Sequence, residues 1–329
     1  MKKLRVGMVG AGLHSTNMLY PCFNHLLDVY EKVAVCDLDI EKARFATKEF
    51  GFDKTYTDYK EMIDREDLNG VVISINGKAH PKIVIDCLDL GVDVLVEKPI
   101  SITVEEAVEV EKAVERNKSI VMVDHQKRQS TAYLRAMELM KSPDFGELIM
   151  IESKMHGREY VTMFNGLIEW QIHNIDIIRA FAGDIESIKA VKKEVTRNRA
   201  SIALLLTFKN GIVGTINWGS EGGFGRFCER LELVGTNYRG IIVENARDVI
   251  MYEHNQNTLF RPDWQPIHNN FTHVLDGYVG IFREFARCIR TREPGKPSAT
   301  DERKNLEIIH EIRKQLNIPF DWRIQTSEF

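Results

Sequence analysis

The chain has 329 residues, of which 43% are hydrophobic and 28% charged, with a formal net charge of −4. Its length exceeds one ordinary core and points to two domains of about 100–200 residues each, while the composition excludes disordered and fibrous classes. The slightly negative charge offers no broad attraction to phosphate backbones or anionic lipid, so nucleic acid and membrane surfaces are not expected partners.

Met1-Lys2-Lys3 could open a signal peptide, but His14, Ser15, Thr16 and Asn17 break the apolar stretch behind it, so a first strand is expected instead. No run reaches the roughly 18 apolar residues of a membrane span. Cys22, Cys36, Cys87, Cys228 and Cys288 are scattered without a CxxC pair or a completing His, which reads as reduced thiols in a cytoplasmic protein with no metal site.

Up to residue 124, the apolar runs Leu4–Val9, Val33–Cys36, Gly70–Ile75, Val92–Val96 and Ser119–Val123 alternate with amphipathic stretches. Near-continuous rather than alternating hydrophobicity marks parallel strands covered on both faces. Residues 1–124 are therefore expected to form a Rossmann-type, doubly wound parallel sheet that binds a dinucleotide. Residues 125–329 differ in texture. Leu148–Glu152, Ser201–Phe208, Gly211–Trp218 and Arg230–Val234 read as strands joined at Asn210-Gly211 and Gly235-Thr236-Asn237. With helices at Glu169–Ala182, Gly277–Arg290 and Asp301–Leu316, this half is an α+β domain with a large, mainly antiparallel open sheet. The cluster Lys189, Lys192, Lys193, Arg197 and Arg199 reads as a solvated face.

Gly10-Ala11-Gly12 stands between the first strand and a helix, the context in which two glycines signal a dinucleotide. The first permits the tight turn, the second leaves no Cβ before the pyrophosphate, and helix N-terminal amides face the phosphates. Ser15 takes the place of the third glycine. Leu13 and His14 follow the turn, and His14 suits a helix cap or a phosphate contact equally. Asp37, ending the second strand, can accept from both ribose hydroxyls and would repel a 2′-phosphate, so NAD is expected over NADP, with Lys42 and Arg44 softening the preference. The run Val92–Val96 ends in Glu97-Lys98-Pro99, an acid and an amine at the sheet edge where such folds bind ligands. Further on, Glu169, His173 and Asp176 share one helical stripe by spacings of four and three, opposite Ile168, Ile172 and Ile175. Taken alone that stripe is a solvated helix face, and only its companion Glu97-Lys98-Pro99 turns it toward chemistry.

On these motifs the chain resembles the Gfo/Idh/MocA oxidoreductases, named for glucose–fructose oxidoreductase and inositol dehydrogenase, over nearly its whole length. Val71–Ile75, His80 and Glu97-Lys98-Pro99 are similar to that family's first domain, and Arg128, Ala132 and Tyr133 to its crossover into the second. The resemblance implies cofactor contacts at Ser74, Ile75, His80, Glu97, Lys98 and Gln126, the last where the family commonly has Asn beside the carboxamide. It implies His173 as the catalytic base with Lys98 beside the substrate, and Glu169 in place of the usual Asp. Asp124-His125 replaces a typical Gly-Phe pair. Substrate contacts are expected from Lys98, His125, His156, Arg158, Glu169, Trp170 and His173, with Tyr160 near them.

The expected reaction is NAD-dependent oxidation of a secondary hydroxyl of a sugar, sugar derivative or cyclitol. His173 takes the proton, Lys98 stabilises the developing alkoxide, Glu169 orients His173 and a neighbouring hydroxyl, and Asp176 is structural. A rival retains NAD and uses transient oxidation to eliminate a glycoside bond, with Asp124 or His125 as the extra base. A second rival is a non-catalytic NAD-binding sensor. The resemblance also implies a homodimer or homotetramer formed through the second domain's sheet.

Overall fold

Six strands form one parallel sheet: β1 Leu4–Val9, β2 Tyr30–Cys36, β3 Lys54–Tyr56, β4 Gly70–Ile73, β5 Asp93–Glu97 and β6 Val121–Asp124. Their order is β3-β2-β1-β4-β5-β6, so the winding reverses between β1 and β4. Every residue of β4, β5 and β6 is buried, which is why these runs carry no polar alternation. β3, unanticipated in the sequence, is three residues of an edge strand, too short to show a period.

The computed structural model describes residues 2–157, 159–220, 228–254, 256–261 and 272–323. They divide into two units, 1–126 with 268–304 and 127–267 with 305–329. The sequence reading placed the boundary at 124 and kept 125–329 together; instead, 268–304 returns to the first unit. The helix Tyr278–Thr291 explains the return. Its buried face, including Ile281, Phe282, Phe285 and Cys288, joins Leu4, Val6, Phe23 and Tyr30 in one core. Phe23 and Phe282 meet edge to face at 5.2 Å, and Tyr30 Oη donates to the Phe282 carbonyl at 2.6 Å. A Cβ on Gly70 would come within 3.0 Å of Phe285, so this glycine makes room for the helix.

In the second unit, eight strands form a mainly antiparallel sheet: β7 Leu148–His156, β8 Ile185–Thr196, β9 Arg199–Phe208, β10 Val213–Gly219, β11 Cys228–Gly235, β12 Arg239–Glu244, β13 Asp248–Glu253 and β14 Gln256–Phe260. The order is β14-β13-β12-β11-β7-β10-β9-β8, and only β7 with β10 runs parallel. Burial alternates along β9 and β11, as expected of a sheet with one packed face. On that face lies the helix Ile172–Ala182. Its Asn174 donates to Ser153 Oγ of β7 and accepts from Trp218 Nε1 of β10, the latter at 3.0 Å.

Candidate active site

The glycine turn is built by its neighbours. Gly10 has φ +104°, and a Cβ there would lie 2.0 Å from the Ser74 carbonyl oxygen and 2.8 Å from Ile75 Cγ2. Its amide donates to the Cys36 carbonyl at 2.8 Å, tying the end of β1 to the end of β2. A Cβ on Gly12 would instead meet no atom within 4 Å, so this backbone faces open space that a ligand's phosphates can approach. Ser15 is buried and donates to Ser74 Oγ at 2.9 Å, a bond a third glycine could not make. Asp37 accepts from the Ala11 amide at 2.7 Å and from the Asp39 amide at 2.9 Å, which holds its half-buried carboxylate against the turn.

At the ends of β5 and β6, Glu97 accepts from His14 Nε2 at 2.8 Å and from the Lys98 amide at 3.2 Å. Burial pushes the Glu97 carboxyl up, but His14, followed by Lys98 and His80, outweighs it and brings it down to about 2. Lys98 is half-buried at this edge. His80 is buried, with Nδ1 bonded to the Pro99 carbonyl at 2.7 Å; burial pushes its imidazole down, so the neutral ring donates there and braces the segment carrying Lys98. Gln126 Nε2 donates to Tyr278 Oη at 3.3 Å.

In the second unit, His173 and Asp176 lie on the helix Ile172–Ala182, whereas Glu169 lies on a π-helical turn, Gly166–Gln171, just before it. The wider turn takes Glu169 off the regular stripe that α-helical spacing implied. Nor is this a solvated face: His173 is 6% exposed and Asp176 1%. Asp176 accepts from Arg128 Nε at 2.7 Å, Arg128 Nη2 at 2.6 Å and Asn305 Nδ2 at 3.0 Å. Glu169 Oε1 accepts from Asn165 Nδ2 at 2.9 Å and Trp322 Nε1 at 3.1 Å. Trp170 packs beside Tyr160, with ring centroids 6.2 Å apart. Tyr133 donates to the buried Glu229, as does Lys127.

Residues 4–125 match the model of the Gfo/Idh/MocA oxidoreductase family, the NAD-binding Rossmann fold. They belong to that family. An inositol 2-dehydrogenase of Salmonella paratyphi B is 26% identical over 207 residues, 61% of this chain and 61% of that protein, so the match spans less than two thirds of that curated relative. A myo-inositol 2-dehydrogenase of Thermotoga maritima is 22% identical over 340 residues, covering 95% of this chain and 96% of that protein. The crystal structure of a dehydrogenase from Chromobacterium violaceum has the same fold, with a TM-score of 0.89 at 19% identity over 96% of each chain. The Gfo/Idh/MocA cofactor is NAD, and the open face of Gly12 and the carboxylate of Asp37 fit its pyrophosphate and its adenosine ribose.

Against the Gfo/Idh/MocA pattern, some expected contacts need correction. His125 is 0% exposed and bonded to Glu302 at 2.7 Å, so it offers no surface to a substrate. Asp124 is buried as well, and burial followed by the Glu97 charge pushes its carboxyl well up. The elimination route therefore loses both candidates for its extra base. His156 ends β7 half-buried, beside Gly219, and burial pushes its imidazole down. Arg158 lies outside the described residues. The sequence reading missed Asn165, Trp322 and Asn305, which position Glu169 and Asp176; Trp322 and Asn305 lie 153 and 129 residues from their partners and leave no local signal, whereas Asn165, four residues before Glu169, stands at a helical spacing that could have found it. A shallow hollow in the second unit, lined by Tyr160, Met163, Gln171, Ile202 and Trp218 among others, includes neither Glu169 nor His173. It is therefore not the expected seat of the chemistry.

Proposed function

We propose that the chain is a NAD-dependent dehydrogenase that oxidises a secondary hydroxyl of a sugar, sugar derivative or cyclitol to a ketone. Its first unit, in this reading, binds the dinucleotide and its second binds substrate. The observation that carries the reading is Lys98: an amine fixed at the carboxyl end of β5, on the sheet edge that also carries the glycine turn, with Glu97 and His80 bracing its segment. Ligands of doubly wound sheets bind at that edge.

NAD, when bound, accepts a hydride from the carbinol carbon. Gly10, Gly12, Leu13 and His14 cradle the pyrophosphate, Asp37 holds the adenosine ribose, and Ser74, Ile75 and Gln126 line the remainder. His173 takes the hydroxyl proton and Lys98 donates to the developing oxyanion. Glu169, its own orientation set by Asn165 and Trp322, accepts from a neighbouring hydroxyl, which favours a polyol. Trp170 offers an apolar ring face beside Tyr160. The test is NAD reduction by the purified chain across free sugars, sugar phosphates, nucleotide sugars and cyclitols. Measurable NAD binding with no reduction by any of them would refute the dehydrogenase reading.

Cofactor choice gives a separate expectation. The Asp37 carboxylate would face a 2′-phosphate directly, and hydrogen bonds to a charged group contribute about 1.5–3 kcal/mol. NAD should therefore bind about tenfold or more tightly than NADP, and Asp37→Ser should narrow that ratio while weakening both, because the Ala11 amide loses its acceptor. Equal affinities in the unaltered chain, measured by calorimetry, would refute the ribose assignment.

A homodimer or homotetramer through the second sheet is part of the same proposal. Strands β7 to β10 of that sheet expose Ile149, Val191, Val195, Leu205 and Val213, an apolar set that pairing would cover. A cytoplasmic location fits the five free cysteines, and no helix among the described residues is long and apolar enough to cross a membrane.

A further inference from the structure

Glu97 and Asp124 are register partners at the carboxyl ends of β5 and β6, so two carboxyl groups leave adjacent strands at one level of the sheet edge. Two buried carboxylates so placed cannot both ionise without a large like-charge penalty. Their surroundings decide which one keeps its charge. Glu97 accepts from His14 Nε2 and from the Lys98 amide. Asp124 is 2% exposed, and no donor among the described residues meets its carboxyl oxygens in regular hydrogen-bond geometry, although the backbone amide of Gln126 faces it and favours its charge. Within hydrogen-bond reach of Asp124 there is also the Glu97 carboxyl, an acceptor facing an acceptor, which only a proton can join. Lys98, His14, the Cys22 thiol and the Tyr278 phenol also face the pair, with His80 on the Glu97 side. All of these belong to the first unit.

In a doubly wound sheet the dinucleotide straddles the switch point, here between β1 and β4. With Asp37 marking the adenosine side at β2, the nicotinamide half falls to the side of β4, β5 and β6, whose edge carries Glu97 and Asp124. The oxidised nicotinamide ring is a cation and the reduced ring is neutral, so a fixed negative charge nearby favours the oxidised form. We propose that Glu97 and Asp124 share one proton and bear one negative charge between them, and that this charge sets the preference of the site for oxidised over reduced cofactor. The inference rests on the NAD reading above.

The test is the ratio of NADH to NAD⁺ dissociation constants in the full-length protein, from calorimetry and nicotinamide fluorescence. Asp124→Asn removes a group that already carries no charge, so the ratio should stay within about twofold of the original. The double variant Glu97→Gln, Asp124→Asn removes the charge itself and should lower the ratio by about tenfold, the effect of one charge several ångströms away in a medium of intermediate dielectric. A large change in Asp124→Asn alone, or none in the double variant, overturns the proposal. A second readout needs neither cofactor nor turnover. The unliganded protein should show the infrared carbonyl band of a protonated carboxyl that Asp124→Asn abolishes, and absence of that band overturns the proposal even if the double variant does not fold. If the unaltered chain binds neither NAD⁺ nor NADH, the NAD reading falls and this inference with it, whereas failure of the ratios alone leaves the NAD reading intact.

Discussion

His173→Ala is expected to lose about 10²–10⁴-fold in turnover, the usual contribution of a well-placed proton-transfer group, while its affinity for NADH stays within about twofold. The helix that carries His173 is buried, and its other polar side chains are committed elsewhere. Asp176 is held by Arg128 and Asn305, Asn174 by Ser153 and Trp218, and Arg179 by Asn305 and Asp184. In the proposed mechanism the proton transfer falls to His173, an imidazole being the side-chain type suited to exchanging a proton near neutrality. Because the lost interaction is one made in the transition state, kcat and kcat/KM should fall together. The measurement is steady-state kinetics on the best substrate of the panel beside a fluorescence titration with NADH. Unchanged turnover would remove His173 from the mechanism; lost NADH affinity would mean that the substitution had disturbed more than the proton acceptor.

The glycine turn, Asp37 and Glu97-Lys98 could be singled out in the sequence because each is marked by its own short motif at the end of an apolar run. An apolar run ending in glycine fixes where a strand stops, and the clash awaiting a Cβ on Gly10 is with Ser74 and Ile75, at the end of the very next strand in the sheet. What escaped was set by distant partners. β8 was read as a basic solvated face because Lys189, Lys192 and Lys193 dominate its sequence; an edge strand is where such charge belongs, since it discourages pairing with another chain. The helix Tyr278–Thr291 was found, but nothing in its own residues says which sheet it covers. Phe23, Tyr30 and Gly70, some 200 or more positions earlier, decide that. His125 shows the same limit at a single residue. Adjacent to the expected pocket in sequence, it is claimed by Glu302, 177 positions away.

Asp176→Ala should destabilise the second unit by about 3–5 kcal/mol, the cost of breaking a buried ion pair by removing one partner. Asp176 is 1% exposed and accepts a two-pronged bond from Arg128, itself 8% exposed, together with the Asn305 amide, and Asn305 in turn accepts from Arg179 Nη1 at 2.6 Å. Removing the carboxylate leaves the Arg128 guanidinium buried beside a cavity and frees Asn305 to shift, so one substitution acts on three partners. A double variant, Asp176→Leu with Arg128→Met, deletes both charges and fills the space, and should recover most of the loss because the desolvation of the pair disappears along with its attraction. The contrast between the two variants separates a buried charge from a simple packing defect. Trp170, Trp218 and Trp322 belong to the second unit, so tryptophan fluorescence during urea unfolding reports on it. A loss below about 1 kcal/mol in Asp176→Ala would place this pair with exposed salt bridges, whose contribution is of that size, and would refute the buried network as the anchor of the helix that carries His173.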